Sequence, residues 1–81
     1  MLICVMTLII MCGPNVIENE EHTLRMAALL KEIFSKYDVE FVFKTSFDKA
    51  NRSSLSSYRG LGIEEGFRIL KKVRDEIGVK I

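Results

Sequence analysis

One stretch of the chain reads Val39-Glu40-Phe41-Val42-Phe43-Lys44-Thr45-Ser46-Phe47-Asp48-Lys49-Ala50-Asn51-Arg52-Ser53-Ser54-Leu55-Ser56-Ser57-Tyr58-Arg59-Gly60 and joins a short apolar run to a long polar segment. The run Val39–Phe43 is β-branched or aromatic apart from Glu40, which is typical of a buried strand. The segment Lys44–Gly60 holds four cations against one acid, together with five serines. Such a donor-rich segment at the end of a buried strand is suited to holding a small anion.

Three interpretations of Lys44–Gly60 stay open on residue types alone: a flexible surface loop, an anion site and an RNA contact. Residue types alone favour the surface loop. The place of the segment supports the anion site, because α/β proteins bind ligands at the carboxyl ends of parallel strands. Lys44 and Lys49 supply compact charges, and Arg52 supplies a planar fork that matches two phosphate oxygens. Neutral donors that could orient hydroxyl groups are Ser46, Ser53 and Asn51. RNA contact is disfavoured because Tyr58 alone is too little for a stacking platform.

The length of 81 residues limits the size of the fold, and the formal charge of +1 limits the classes of partner. This length allows one small domain at most, 1–81, and the global charge gives no argument for nucleic acid or for an acidic membrane surface. Its only histidine, His22, is expected on the surface. Metal-ligand spacings and nucleotide-binding glycine loops are absent from the sequence, and Gly60-Leu61-Gly62 is followed by acids where a pyrophosphate would bind.

The opening run Met1–Cys12 is apolar without alternation and ends at Gly13-Pro14. This pattern predicts a strand covered on both faces of a parallel sheet. Twelve residues are too few for a membrane span. A signal-like segment and an oligomer contact are the alternatives. Cys4 and Cys12 would lie roughly 26 Å apart on one strand, beyond disulfide reach, which indicates buried thiols in a reducing compartment.

Two amphipathic helices are predicted. The first runs from an Asn19 N-cap to Lys36. The second follows Gly62, begins with Glu64 and Glu65, and ends at a left-handed Gly78. Their apolar stripes comprise Met26, Leu29, Leu30, Ile33, Phe34 and Tyr37 in the first helix, and Ile63, Phe67, Leu70, Val73 and Ile77 in the second.

The element order is therefore strand, helix, strand, helix and, at Val79-Lys80-Ile81, the start of a third strand. Alternation of this kind predicts an α/β fold around a parallel sheet.

A known family shares the central motif. The signature of the 3-deoxy-D-manno-octulosonate 8-phosphate synthase (KDO-8-phosphate synthase) family is similar to Lys44-Thr45-Ser46-Phe47-Asp48-Lys49-Ala50-Asn51-Arg52-Ser53-Ser54 followed by Ser57-Tyr58-Arg59-Gly60. The family's first strand–helix loop resembles Gly13-Pro14-Asn15-Val16-Ile17-Glu18, and the match runs from about Thr7 to Ile81. The resemblance implies the N-terminal βαβα(β) portion of a (β/α)8 TIM barrel, with the barrel incomplete at this length.

The resemblance also implies an activity: the aldol-type condensation of phosphoenolpyruvate with D-arabinose 5-phosphate in the cytoplasm, as part of lipopolysaccharide biosynthesis. Carried over by position, Lys44, Ser46 and Lys49 would bind phosphoenolpyruvate, with Lys44, Lys49 and Asn15 as the catalytic set. Asn51 would contact the pentose, and Arg52 with Ser53 would bind its phosphate from a neighbouring subunit of a homotetramer.

Asn15 bears on the cofactor. One branch of the family has a cysteine ligand here and needs a metal ion, whereas the other has asparagine and needs none. A neutral amide is a poor substitute for a thiolate, so Asn15 indicates the metal-independent branch, with no cofactor.

Leu61 and Asn19 depart from the family's usual proline and serine. The larger departure is length, because a barrel takes about 250 residues and the contributions of later strands are absent from this sequence. An N-terminal portion of the synthase, inactive alone, is therefore expected. The alternatives are a non-catalytic binding module for phosphorylated metabolites and a small secreted or membrane-associated protein anchored by Met1–Cys12.

Overall fold

The computed structural model describes residues 8–47 and 61–81. Strand β1 spans Leu8–Cys12, helix α1 spans Glu20–Phe34, strand β2 spans Val39–Phe43 and helix α2 spans Ile63–Lys72. A π-helical turn at Val73–Ile77 continues α2 without a break. The predicted α/β order is confirmed, and the predicted bounds of β2 match those observed.

The two strands are parallel and paired from Leu8 opposite Val39 to Cys12 opposite Phe43. Helix α1 forms the crossover between them, as a parallel pair requires. A third strand begins where predicted: Lys80 bridges Val42 in parallel, and the amide of Phe43 donates to the carbonyl of Lys80 at 2.8 Å. This arrangement has the character of the first βα units of a (β/α) barrel.

Helix α1 begins as predicted. The side-chain oxygen of Asn19 accepts a hydrogen bond from the amide of His22 at 2.8 Å, which satisfies one of the free N–H groups of the first turn. The helix ends at Phe34, two residues before the predicted end at Lys36. The reason is local, because the amides of Lys36 and Tyr37 bond three residues back, to Ile33 and Phe34, and so leave the α-helical pattern.

The core lies on one side of the sheet, between β2 and the helices. Its fully or nearly buried apolar members are Ala27, Phe43, Val73 and Val79, and partly buried neighbours packed against them include Leu24, Met26, Leu30, Phe41, Leu70 and Ile77. Phe34 stacks on Phe41 with ring centroids 5.2 Å apart, which joins the end of α1 to β2. The apolar stripe predicted for the first helix is only partly buried, because Leu29, Ile33 and Tyr37 are exposed, and Tyr37 lies beyond the end of α1.

The stripe predicted for α2 is wrong in its first half. Ile63 and Phe67 are 53% and 57% exposed, whereas Gly66 and Ile69 are buried. The buried face is rotated because α2 packs on Phe47 at Gly66, where an added Cβ would collide with the Cβ of Phe47. A hydrophobicity pattern does not register a glycine as a contact residue, so it predicts the wrong face.

The expectation that β1 is covered on both faces is also wrong. Ile9 and Met11 are 55% and 70% exposed, on the face opposite the helices. Only one face of the two-stranded sheet has a helical layer, and nothing in the described residues covers the other. On that open face Lys80 forms an ion pair with Glu40.

The C-terminal end of the helical segment is as predicted. Gly78 adopts φ 78° and ψ 34°, and its amide donates to the carbonyls of Val73 and Arg74. The ammonium group of Lys31 donates to the carbonyl of Ile77 at 2.7 Å, which ties α1 to this end. Within residues 8–47 and 61–81, no helix is long and apolar enough to cross a membrane. The proposed anchor Met1–Cys12 lies partly outside the described residues.

Candidate active site

The carboxyl ends of β1 and β2 lie side by side, so the two βα loops start at the same edge of the sheet. The amide of Lys44 donates to the carbonyl of Cys12 at 3.1 Å, which extends the strand ladder by one residue. An added Cβ at Gly13 would collide with the carbonyl oxygen of Lys44. Gly13 therefore does more than end a strand, because its lack of a side chain permits this close approach.

The two loops are also bonded to each other directly. The amide of Ile17 donates to the carbonyl of Ser46 at 2.8 Å, and Ile17 is fully buried beside buried Val16. A hydrogen bond anchored by a buried residue holds its partner more firmly than an exposed one, because water has no access to replace it. The loop that carries Asn15 is therefore held against the loop that carries Ser46.

Phe47 fixes the far end of the described part of the second loop. Its carbonyl accepts a hydrogen bond from the amide of Gly62 at 3.1 Å, and its ring meets Phe67 edge-to-face with centroids 5.6 Å apart. Gly62, at φ 87°, is the N-cap residue that directly precedes α2. Residues 47 and 62 thus lie next to each other although the chain between them is long.

Three of the residues predicted for the site lie on the two loops that are hydrogen-bonded to each other at this edge of the sheet. Alternation along β2 places Lys44 on the side of the sheet opposite the core residue Phe43, and Lys44 is exposed. Ser46 is half-buried and Asn15 is exposed on the neighbouring loop. The other predicted residues, Lys49, Asn51, Arg52 and Ser53, lie outside the described residues.

A cavity of about 370 Å³ opens beside Lys44, mostly lined by apolar side chains. It lies at the edge of β2 where Lys80 bridges Val42, and Ile81 is among its lining residues. The hydroxyl of Thr45 is buried at its rim and lacks a hydrogen-bond partner among the described residues.

His22 differs from its expected surface position. It is half-buried, and its Nδ1 is buried without a hydrogen-bond partner in the part of the chain that the structure describes. The reason is that the first turn of α1 packs closely, with Thr23 fully buried beside it. Across residues 8–47 and 61–81, no three His, Cys, Asp or Glu side chains are grouped to hold a metal ion.

A network of charges joins the first turn of α1 to α2. Glu20 accepts from Lys72 at 2.7 Å and from Arg68 at 3.3 Å, and Arg68 also donates through Nε to Glu65 at 2.9 Å. The hydrogen bond from Lys72 lowers the pKa of Glu20, and that from Arg68 lowers the pKa of Glu65. The same pairings raise the pKa of Lys72 and of Arg68. The sequence offered only polar spacing here and gave no signal that these residues pair across helices.

Comparisons with known proteins agree with the motif. Residues 6–81 match the model of the DAHP synthetase I family. Similar curated proteins carry the name 2-dehydro-3-deoxyphosphooctonate aldolase, a synonym of KDO-8-phosphate synthase. The relative from Protochlamydia amoebophila is 53% identical over 74 residues, and that from Legionella pneumophila strain Corby is 54% identical over 74 residues. The relative from Pisum sativum is 57% identical over 65 residues, which is 80% of this chain and 22% of that protein.

The two bacterial matches cover 91% of this chain but 27% of each relative. The chain thus spans about a quarter of the length of the relatives that it matches. The predicted resemblance to the N-terminal part of KDO-8-phosphate synthases is confirmed over this span.

Proposed function

The chain belongs to the DAHP synthetase I family, and from this premise we propose that it forms the N-terminal βαβα portion of an enzyme that condenses phosphoenolpyruvate with D-arabinose 5-phosphate. The products are 3-deoxy-D-manno-octulosonate 8-phosphate and inorganic phosphate. The proposal is carried by one observation: the loop of Asn15 and the loop of Lys44 and Ser46, both parts of motifs shared with the synthases, are hydrogen-bonded to each other at one edge of the sheet.

The residue roles follow from the charge of the substrates. Each substrate carries a phosphate, so their mutual repulsion must be screened before the two reacting carbons can approach. We assign Lys44, Ser46 and Lys49 to phosphoenolpyruvate. The exposed position of Lys44 at the end of β2 supports its part in this set. Asn51 would contact the pentose, and Arg52 with Ser53 its phosphate.

The proposed site is only part of an active site. The described sheet has two strands and the start of a third, and one of its faces is open. Half of an anion site cannot screen two phosphorylated substrates, so we expect no product from the 81-residue chain alone. Octulosonate 8-phosphate formed by the purified chain would contradict this expectation.

The decisive experiment grafts this chain into a relative. In the Legionella pneumophila protein, the 74 aligned residues would be replaced by those of this chain, and phosphate release from the two substrates would be followed. The graft is expected to be active, and Lys44→Met in the graft to lower kcat at least about a hundredfold. Lys36→Met, which removes an exposed cation beyond α1, serves as the matched control and should leave the rate unchanged.

An inactive graft that folds would overturn the enzymatic proposal. Calorimetric titration of that graft with phosphoenolpyruvate would then test the alternative of a binding module. Binding that Lys44→Met abolishes would support that alternative, and an absence of heat would remove it.

We further propose that the site uses no metal ion. The support is Asn15, whose neutral amide replaces the thiolate that metal-dependent members place at this position. The active graft is expected to contain less than stoichiometric metal by elemental analysis and to keep its rate in EDTA. Loss of activity in EDTA with recovery on adding a divalent cation would contradict this proposal.

The assembly and location are proposals of the same kind. The family resemblance supports a cytoplasmic homotetramer in which Arg52 and Ser53 serve the site of a neighbouring subunit. Mixing Lys44→Met grafts with Arg52→Ala grafts tests the sharing, because a shared site would regain activity in mixed tetramers. Equal inactivity before and after subunit exchange would count against it.

A further inference from the structure

Glu20 stands between two cations of another helix. Its Oε1 atom lies 2.7 Å from Nζ of Lys72 and 3.3 Å from Nη1 of Arg68. Arg68 is itself oriented by Glu65, which accepts from two of its nitrogen atoms. Isolated surface ion pairs contribute little, but a forked arginine–carboxylate contact within a network is the arrangement in which they count.

On one side, Glu20 is connected through a short ordered segment to the first loop. Asn19 caps the helix, and its carbonyl accepts from the hydroxyl of fully buried Thr23 at 2.8 Å. Two residues before Asn19, the amide of Ile17 bonds to the carbonyl of Ser46. The bonded segment from Ile17 to Thr23 therefore connects Glu20 to the hydrogen bond between the two loops.

On the other side, α2 is connected to the second loop. Phe47 follows Ser46, and its carbonyl accepts from the amide of Gly62 at the start of α2. One turn later Gly66 lies directly against the Cβ of Phe47. The helix then carries Arg68 and Lys72 to Glu20, two and six residues beyond Gly66.

These contacts form a closed ring: first loop, second loop, α2, α1 and back to the first loop. We propose that Glu20, Lys72 and Arg68 are positioning residues, which close this ring and thereby hold Asn15 and Lys44 in one relative arrangement. None of the three is placed at the reacting atoms. The effect of the ring on substrate binding rests on the proposed function, whereas the ring itself is tested without substrate.

The first test is amide hydrogen exchange of the full 81-residue chain. Lys72→Met is expected to speed exchange of the Ile17 amide about two- to fivefold, while the Phe43 amide in the sheet stays unchanged. Lys71→Met removes the same charge from the next, exposed position and should change neither amide. Lys72→Arg keeps the charge and the donor and should restore the wild-type rate.

Equal Ile17 exchange in Lys72→Met and Lys71→Met would overturn the proposal, as would an Ile17 amide that is unprotected in the unsubstituted chain. A uniform rise at all amides would show general destabilisation and would also count against it. Glu20→Gln with Glu21→Gln as control repeats the test from α1, since both positions lie in the same first turn.

The second test follows phosphoenolpyruvate binding through the amide resonances of Lys44 and Ser46. Weaker binding in Lys72→Met than in Lys71→Met is expected, and equal weakening would indicate a charge effect and contradict positioning. If the folded graft is inactive while Lys72→Met still speeds exchange of the Ile17 amide in the 81-residue chain, the proposed function fails and the ring stands.

Discussion

The amide of Ile17 and the carbonyl oxygen of Ser46 lie 2.8 Å apart and join two loops that are 29 residues apart in sequence. The bond uses the backbone of Ser46, not its hydroxyl. Ser46 can therefore serve as a structural contact between the loops and as a substrate donor at the same time. Substitutions near this bond test how far the local geometry depends on close backbone approach.

Gly13→Ala is expected to lower the free energy of unfolding by about 1–3 kcal/mol, because the new methyl group would meet the carbonyl oxygen of Lys44. Denaturant unfolding measures the loss, and exchange of the Lys44 amide should rise with it. Gly62→Ala is the contrasting variant, because it strains the backbone at φ 87° but places its Cβ in open space, without a collision. An unchanged Lys44 amide in Gly13→Ala would refute the steric explanation.

Gly66→Ala should destabilise the chain, although alanine is about 1 kcal/mol better than glycine within a helix. The reason is the contact between Gly66 and the Cβ of Phe47. Because the colliding atom is the Cβ itself, adding Phe47→Gly should relieve the strain and adding Phe47→Ala should not. Double-mutant cycles by denaturant unfolding measure the coupling energy of Gly66→Ala with Phe47→Gly and with Phe47→Ala. Equal coupling energies in the two cycles would contradict the steric explanation.

Ile69→Ala is expected to lower the free energy of unfolding by about 2–4 kcal/mol, whereas Ile63→Ala should change it by less than about 0.5 kcal/mol. Both remove the same atoms from α2, but Ile69 is fully buried and Ile63 is largely exposed. Denaturant unfolding of the two variants measures the difference. Similar losses would show that the apolar stripe predicted from sequence is the real buried face.

The stability of the chain should fall as the pH drops below about 5, in part through Glu20. Lys72 and Arg68 lower the pKa of Glu20 in the folded chain, below its ordinary 4.5. The unfolded state then binds more protons in acid, so this contribution is present above pH 4.5 and is lost as the pH falls through the folded pKa. Thermal unfolding between pH 6 and pH 3 should show a shallower dependence in Lys72→Met than in Lys71→Met.

The groups that face this pair are Arg68, Glu65 and Glu76. The comparison of the two lysine variants cancels contributions that do not depend on Lys72. Identical pH profiles for both variants would mean that Glu20 gains nothing from its partner.

Local sequence signals predicted the parts of the fold that local chemistry determines. Four features each depend on a few adjacent residues: the bounds of β2, the Asn19 cap, the left-handed Gly78 and the start of a third strand at Val79–Ile81. The edge that carries Asn15, Lys44 and Ser46 was also predictable, because parallel strands bring their carboxyl ends together.

What the sequence did not show depends on contacts between distant residues. Gly13 and Gly66 contribute by having no side chain, so a search for apolar or charged patterns passes over them. The pairing of Glu20 with Lys72 spans 52 residues and follows only from the packing of α1 on α2. The half-burial of His22 likewise depends on how closely that first turn packs.

The side chains on the uncovered face of β1 have different surroundings in the isolated chain and in a closed barrel. Met11, 70% exposed, would favour self-association of the 81-residue chain, so Met11→Thr should make that chain more dispersed in solution. Inside a closed barrel the interior is filled by layers of side chains, and the same substitution would leave a polar group and a void there. A substitution that reduces self-association of this chain would therefore lower the stability of a closed barrel of the same architecture.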